Sequence, residues 1–310
     1  MSETRPPPSW PFLRREAALL GVPVRALTGP RYRQVLPGVM VSALVPDTVA
    51  VRARAALLLA PEGAVVSHWT AARLWGGRVP DSEWVHVAFM RDVRFRVRGV
   101  RTHRHRHRLE VVRRHGVPVT SPGQTFCHLA RFLGLVDLVA LGDSLVRKHR
   151  LSTSDLVAYA EGWAGQCRGE ALAAARLVRE GVDSSPETAL RLLMVLAGLP
   201  EPTVNVELRD ADGHVRFRLD LGYEGPKVAV EYDGRWHDSP EQRAHDEARR
   251  AHLTDTEGWT FVLVTGDDLY VDPAALLDRL LSELRAAGVS VPSTLSDAWR
   301  AHFRVQRIAA

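Results

Sequence analysis

The period of the hydrophobic pattern changes along the chain, and the changes mark its parts. Residues 14–20 read as a short helix stopped by Gly21, residues 24–27 as one further turn, and residues 31–35 lead through Pro37-Gly38 into a strand at 39–43. An apolar run over 48–59 has helical length and ends before Pro61. A short strand at 64–66 follows, then a helix over 67–76 with Ser67 as its N-cap, and an alternating strand at 84–90. Residues 94–112 also alternate, but between arginine and histidine and other residues. Residues 116–122 read as a linker into a helical stretch, where apolar residues recur at helical spacing over 122–133, 137–148, 153–159 and 168–180. Ser121 caps the first of these helices, and Ser152 or Ser154 the third.

Strand alternation returns at 204–209, 215–221 and 228–232. A helix at 185–197 precedes it, with Ser185 as cap and Pro186 at its first position, and a polar helix at 241–256 follows. A buried strand at 259–265 and an amphipathic helix at 273–287 complete the pattern. Helix–strand–strand–strand–helix–strand–helix is the order of an α/β sandwich. Five parts are therefore expected: a tail and short helices over 1–45, an α+β region over 46–115, a helical connector over 116–181, the α/β sandwich over 182–290, and a tail over 291–310.

The strands at 215–221 and 228–232 form a hairpin around a turn rich in glycine and proline, and their alternation carries the chemistry. Phe217, Leu219 and Leu221 share one side, with Arg216, Arg218 and Asp220 on the other. On the return strand Val228, Val230 and Tyr232 share a face, opposite Ala229, Glu231 and Asp233. A buried strand seldom ends in Glu-Tyr-Asp-Gly, because unpaired buried carboxylates are costly. Asp220, Glu231 and Asp233 can line one face of adjacent strands and share a divalent cation.

Asp220, then Glu231-Tyr232-Asp233, then His237, resembles the PD-(D/E)XK nuclease core, and within it the branch related to very-short-patch-repair endonucleases. The resemblance covers residues 182–284. It takes in Ser185-Pro186-Glu187 on the helix before the hairpin, and Arg243, Asp246 and Arg249 on the helix after it. It implies a restriction-endonuclease-like α/β sandwich and a metal-dependent DNA endonuclease. Asp220 and Glu231 would ligate Mg²⁺ or Mn²⁺, Glu187 would hold a coordinated water or a second ion, and His237 would act as general base. Asp233, Asp246 and Arg249 would surround those groups, with Arg249 and Arg243 toward phosphate. The lysine usual two residues after the glutamate is Asp233 here, and in this branch a histidine serves in its place. Asp233-Gly234 also fits a plain turn, and Arg243, Asp246 and Arg249, three apart on one helix face, also fit a surface ion network.

Charge adds a second theme. The 310 residues carry a net +5, yet residues 1–115 hold 20 basic and 8 acidic residues, a balance of +12, against −7 for the remainder. Lys148 and Lys227 are the only lysines, so the excess is arginine, which a GC-rich genome also favours. Its concentration in one segment points to a polyanionic partner, DNA first and RNA as the alternative. Arg31, Tyr32 and Arg33, followed by Gly38-Val39, resemble the winged-helix start of AbiEi-type antitoxins, here shortened. Ser67-His68, Ala71-Ala72 and Leu74-Trp75-Gly76 resemble the middle region of the same family. That resemblance implies a partial winged helix with Arg31 and Arg33 toward phosphate, and a DNA-binding regulator as the alternative to a nuclease.

In the arginine/histidine segment, alternation sets His103, His105 and His107 on one face and Arg104, Arg106 and Arg108 on the other. The adjacent guanidiniums would repel a metal ion, so a phosphate-contacting ribbon, strengthened below about pH 6.5 as the imidazoles protonate, is the expected role. A solvated edge strand blunted by charge is the competing one. Cys127 and His128 point apart on one helix and do not form a nucleophile pair. Two distant cysteines, no apolar run of membrane length and no apolar signal core suit a cytoplasmic protein without a membrane partner.

Overall fold

The computed structural model describes residues 9–234 and 240–303, in two compact units of a mixed α/β protein. Residues up to 133 together with 148–176 form the first, and residues 134–147 together with those from 177 onward form the second.

The first unit begins with β1 (Phe12–Leu13), β2 (Tyr32–Leu36) and β3 (Val39–Ser42), ordered β1-β3-β2. Gly38, at φ +78°, makes the tight β2–β3 turn that the Pro37-Gly38 pair suggests. The expected helices before it are single 3₁₀ turns at Arg14–Glu16 and Val24–Thr28, and residues 32–36 are strand. Among the described residues no α-helix precedes Val49, so the recognition helix of a winged helix has no counterpart there. Gly21 and Pro23 interrupt the chain before a second helical turn can close.

Helix α1 (Val49–Leu59) starts at Thr48, whose hydroxyl accepts from Val51 N at 3.3 Å. After β4 (Val65–Val66) come α2 (His68–Leu74), β5 (Val85–Phe89), β6 (Val100–Arg104), β7 (Val111–Arg114) and β8 (Val117–Thr120). The five strands form one sheet, ordered β6-β5-β4-β8-β7. Residues 117–120 are thus an interior strand of a sheet, where a linker was expected. Val117 and Val119 alternate with the proline between them, a short pattern that the glycine and prolines around it conceal. Residues 94–98 are not strand; the ladder begins at Val100, after Gly99. Leu13, Leu36 and Val39 pack in one core with Ala55, Ala56, Val87 and Phe89, which ties the small sheet, α1 and the larger sheet together.

Helix α3 (Pro122–Leu129) is capped by Ser121 as expected. Helix α4 (Leu135–Arg147) belongs to the second unit, while α5 (Thr153–Glu161), closed by a Ser152/Asp155 capping box, and α6 (Arg168–Leu177) return to the first, α6 ending at its boundary.

The second unit continues with α7 (Ser185–Leu196), β9 (Thr203–Arg209), β10 (Val215–Tyr223), β11 (Val228–Asp233), α8 (Pro240–Glu257), β12 (Thr260–Thr265), α9 (Gly266–Tyr270) and α10 (Pro273–Ala286). The cap of α7 is Ser184, one residue before the one expected. β9, β10 and β11 form an antiparallel meander, and α8 carries the chain across to β12, parallel to β11, giving the order β12-β11-β10-β9. A buried ion network joins α4 to α7: Arg191, fully buried, lies 3.5 Å from Asp143 and 3.0 Å from Glu201. Asp143 also accepts from Thr188 Oγ1 and Arg179 N, both at 2.8 Å. Such a network fixes the helix pair by leaving none of its charges unmatched.

Candidate functional site

Glu187, Asp220 and Glu231 meet where α7 crosses the β10–β11 hairpin. Leu221 pairs with Val230, and one step beyond that pair Asp220 Oδ2 accepts from Tyr232 N at 3.0 Å. Glu187 enters in the first turn of α7, where its amide donates to the Ser184 hydroxyl at 3.2 Å and its Oε2 accepts from Asp183 N at 2.9 Å. These backbone amides hold both carboxylates in place. Burial, followed by the charge of Glu187 and more weakly of Glu231, pushes the Asp220 carboxyl up to about 7. Asp220 therefore exchanges its proton near neutral pH, as expected of a carboxyl buried beside other carboxylates.

Glu231 has a different environment. Arg249 Nη2 donates to both of its oxygens at 3.0 Å, and Arg250 Nη1 stands 3.8 Å away. Burial raises the Glu231 carboxyl pKa, and the two guanidiniums oppose that rise. Arg249, expected toward phosphate, is thus engaged by the carboxylate, and only Asp246, 4.0 Å from its Nε, shares it along the helix. Asp183 similarly gathers Arg147 at 2.6 Å and Arg218 of the hairpin. Asp233 is half-buried and pairs with Thr265 across the parallel ladder. His237 lies outside the described residues, as does the side chain of Arg243.

These donors fit a hard cation in part. Glu187 and Asp220 could supply two oxygen ligands, and a divalent ion would relieve the repulsion between them. Glu231 already has its charge met. Among the described residues the groups whose three ligand atoms lie within 4.8 Å of one another are His68/His105/His128 and the exposed turn Asp210/Asp212/His214, so the three carboxylates do not form such a group.

The arginines expected on nucleic acid divide in the same way. Arg31, Arg106 and Arg108 are exposed. Arg33 is half-buried and donates to Val45 O at 3.1 Å, with Asp47 at 3.6 Å, and Arg104 pairs with Asp92 at 3.2 Å.

His103, His105 and His107 line a cavity of about 920 Å³, and Arg104 and Arg106 line it with them, so alternation does not keep these arginines away from the imidazoles. The three histidines meet there imidazoles that alternation alone does not place: His68 at the start of α2, His86 on β5 and His128 on α3. Burial above all, then neighbouring imidazoles and arginines, lowers His86 and His105 to about 4, His103 to about 3 and His128 to about 2. His68 is held well below its ordinary value for the same reason. The expected gain of positive charge below about pH 6.5 is therefore not available to these residues. A signal for the wider cluster was present in the buried pattern of β5, where His86 stands among valines. Cys127, beside His128, is pushed up to about 12 by burial, which suits an inert thiol.

No protein-family model matches the chain. It is similar to "Uncharacterized protein Rv2248" of Mycobacterium tuberculosis (strain ATCC 25618 / H37Rv), with 30% identity over 237 residues, covering 73% of this chain and 84% of that protein. "Uncharacterized protein MT2308" of Mycobacterium tuberculosis (strain CDC 1551 / Oshkosh) matches with the same identity and coverage. The chain belongs to their family. A match of 237 residues is longer than either structural unit, so the family shares parts of both. Among the described residues no helix is long and apolar enough to cross a membrane.

Proposed function

We propose that this protein is a divalent-metal-dependent endonuclease acting on DNA, with Glu187 and Asp220 as the carboxylates that hold the cation. The observation that carries the reading is the Asp220 carboxyl raised to about 7 beside Glu187. Two hard oxygen donors are held by amides, and among the described residues neither is in an ion pair. The order α7-β9-β10-β11-α8-β12 supports it, being the order the PD-(D/E)XK resemblance implies.

Bound between these carboxylates, Mg²⁺ or Mn²⁺ would offset charge on the phosphate and lower the pKa of an attacking water. Tyr232 N–H orients the Asp220 carboxylate, and Asp183 N–H does the same for Glu187. Arg249 pairs with Glu231 next to them, so Glu231 does not add a third free ligand. His237 is the residue to which the resemblance gives proton abstraction. The exposed Arg31, Arg106 and Arg108 supply positive charge for the DNA backbone.

The full-length protein is expected to nick supercoiled plasmid with Mn²⁺ or Mg²⁺ and not in EDTA. Glu187→Gln with Asp220→Asn should abolish nicking while leaving the circular dichroism unchanged, and His237→Ala should reduce it. Undiminished nicking by the carboxylate double variant would overturn the reading. The Arg249–Glu231 closure favours one alternative, a DNA-binding regulator on a non-catalytic nuclease scaffold, which predicts salt-sensitive DNA binding and no cleavage with any metal.

A further inference from the structure

We propose that His68, His105 and His128 form a transition-metal site of the Zn²⁺ class, separate in residues and chemistry from the carboxylate pair. One ring nitrogen from each lies within 4.8 Å of the others. The three come from different places: the first residue of α2, the segment just past β6, and the last turn of α3. Their rings are nearly parallel, with His105 4.0 Å from His128 and His68 5.0 Å from His128 between centroids.

The state of the nitrogens argues for a ligand. His105 Nε2 and His128 Nδ1 are buried and have no hydrogen-bond partner, and His128 is 5% exposed. A buried polar atom left unpaired is costly and uncommon, and a metal ion removes that cost. The other nitrogens are oriented as ligand imidazoles usually are. His68 Nδ1 lies 3.0 Å from the Ser67 hydroxyl, which leaves Nε2 for a ligand role. His128 Nε2 lies 2.9 Å from His107 Nε2, which leaves Nδ1. His68 also holds φ at +49°, a left-handed backbone that a non-glycine residue adopts at some cost.

Nitrogen donors select the ion. Three imidazoles suit Zn²⁺, Co²⁺, Ni²⁺ or Cu²⁺ rather than Mg²⁺. Bonds of about 2.0 Å around a tetrahedral ion would draw the nitrogens to about 3.3 Å from one another. With three protein ligands and the cavity beside them, the fourth position is left for water or an anion. Three arginines line the cavity, Arg104, Arg106 and Arg131, and Arg104 has its charge met by a carboxylate. Arg104 pairs with Asp92 at 3.2 Å, and Arg131 is held by Gln166.

The test is a Co²⁺ titration of the untagged, EDTA-stripped full-length protein, followed by visible absorption. One equivalent should produce tetrahedral ligand-field bands that Zn²⁺ abolishes, and Glu187→Gln with Asp220→Asn should titrate like wild type. His105→Ala with His128→Ala should lose the bands, and His105→Ala alone should weaken Zn²⁺ binding at least tenfold. Absence of the bands in folded wild type, or their persistence in the double histidine variant, would overturn the proposal. Should that variant fail to fold, the ring ¹⁵N resonances of wild type decide: Zn²⁺ must shift those of His68, His105 and His128, and unmoved resonances would overturn it.

Discussion

Arg249 closes on Glu231, its Nη2 standing 3.0 Å from both carboxylate oxygens, with each side chain largely buried. This contact ties α8 to β11 and determines which acids remain available beside it. Glu231 and Arg249 satisfy each other, while among the described residues Asp220 and Glu187 have no ion pair of their own.

Removing Arg249 should therefore cost more than its loss of contacts suggests, because Glu231 would remain buried with only Arg250 at 3.8 Å. Arg249→Ala is expected to lower unfolding free energy by about 3 kcal/mol, toward the low end for a broken buried pair. Urea denaturation at pH 7.5 measures it. Arg249→Ala combined with Glu231→Gln should recover much of the loss.

Asp220 gives the opposite sign. Its carboxyl titrates near 7 in the fold against 3.8 as the ordinary value, so between those pH values the folded state binds the extra proton. Stability is then present at low pH and is lost as pH rises toward and through 7. Asp220→Asn keeps the acceptor for Tyr232 N–H and removes the charge. It should stabilise the protein by roughly 2–4 kcal/mol at pH 8, by about a third of that at pH 5 and little below about pH 4, as thermal melts across that range would show.

The imidazole cluster predicts acid sensitivity. His86, His103 and His105 titrate at about 4, 3 and 4 in the fold, against 6.5. The unfolded chain binds their protons first as pH falls. Their contribution is complete above about pH 6.5 and is lost progressively down to about pH 4. Each group steepens the loss by up to about 1.4 kcal/mol per pH unit. Melts followed by tryptophan fluorescence between pH 7.5 and 4.5 should show it, and His103→Gln should flatten the dependence.

If the exposed arginines carry nucleic acid, binding must respond to salt. Arg31, Arg106 and Arg108 replaced together by alanine should reduce the slope of log K against log salt by about 2.7, the share of three phosphate contacts. Arg104→Ala should change it less, because Arg104 already pairs with Asp92. Fluorescence anisotropy with a labelled duplex across a salt series measures both.

Local chemistry made much of the second unit legible. The alternation in 215–232, the polar helix after it and the β-branched strand at 260–265 each form within a few residues of the expected bounds. Asp220 and Glu231 do share a neighbourhood, as alternation on paired strands requires. Which acid an arginine would claim was not legible, because Arg249 lies 18 residues from Glu231 and only the packing of α8 brings them together. The strand at Val117–Thr120 was hidden for a related reason. Four residues around a proline alternate too briefly to stand out, and their strand character comes from the ladders on either side. The histidine cluster was half visible: alternation set His103, His105 and His107 together, whereas His68, His86 and His128 join them only through tertiary contact.

Manganese binding at pH 8, followed by loss of the free-ion EPR signal, reaches the carboxylate pair most directly. Wild type and His105→Ala/His128→Ala should each take up one Mn²⁺ that Glu187→Gln/Asp220→Asn does not. Equal Mn²⁺ uptake by the carboxylate variant and wild type would contradict the account.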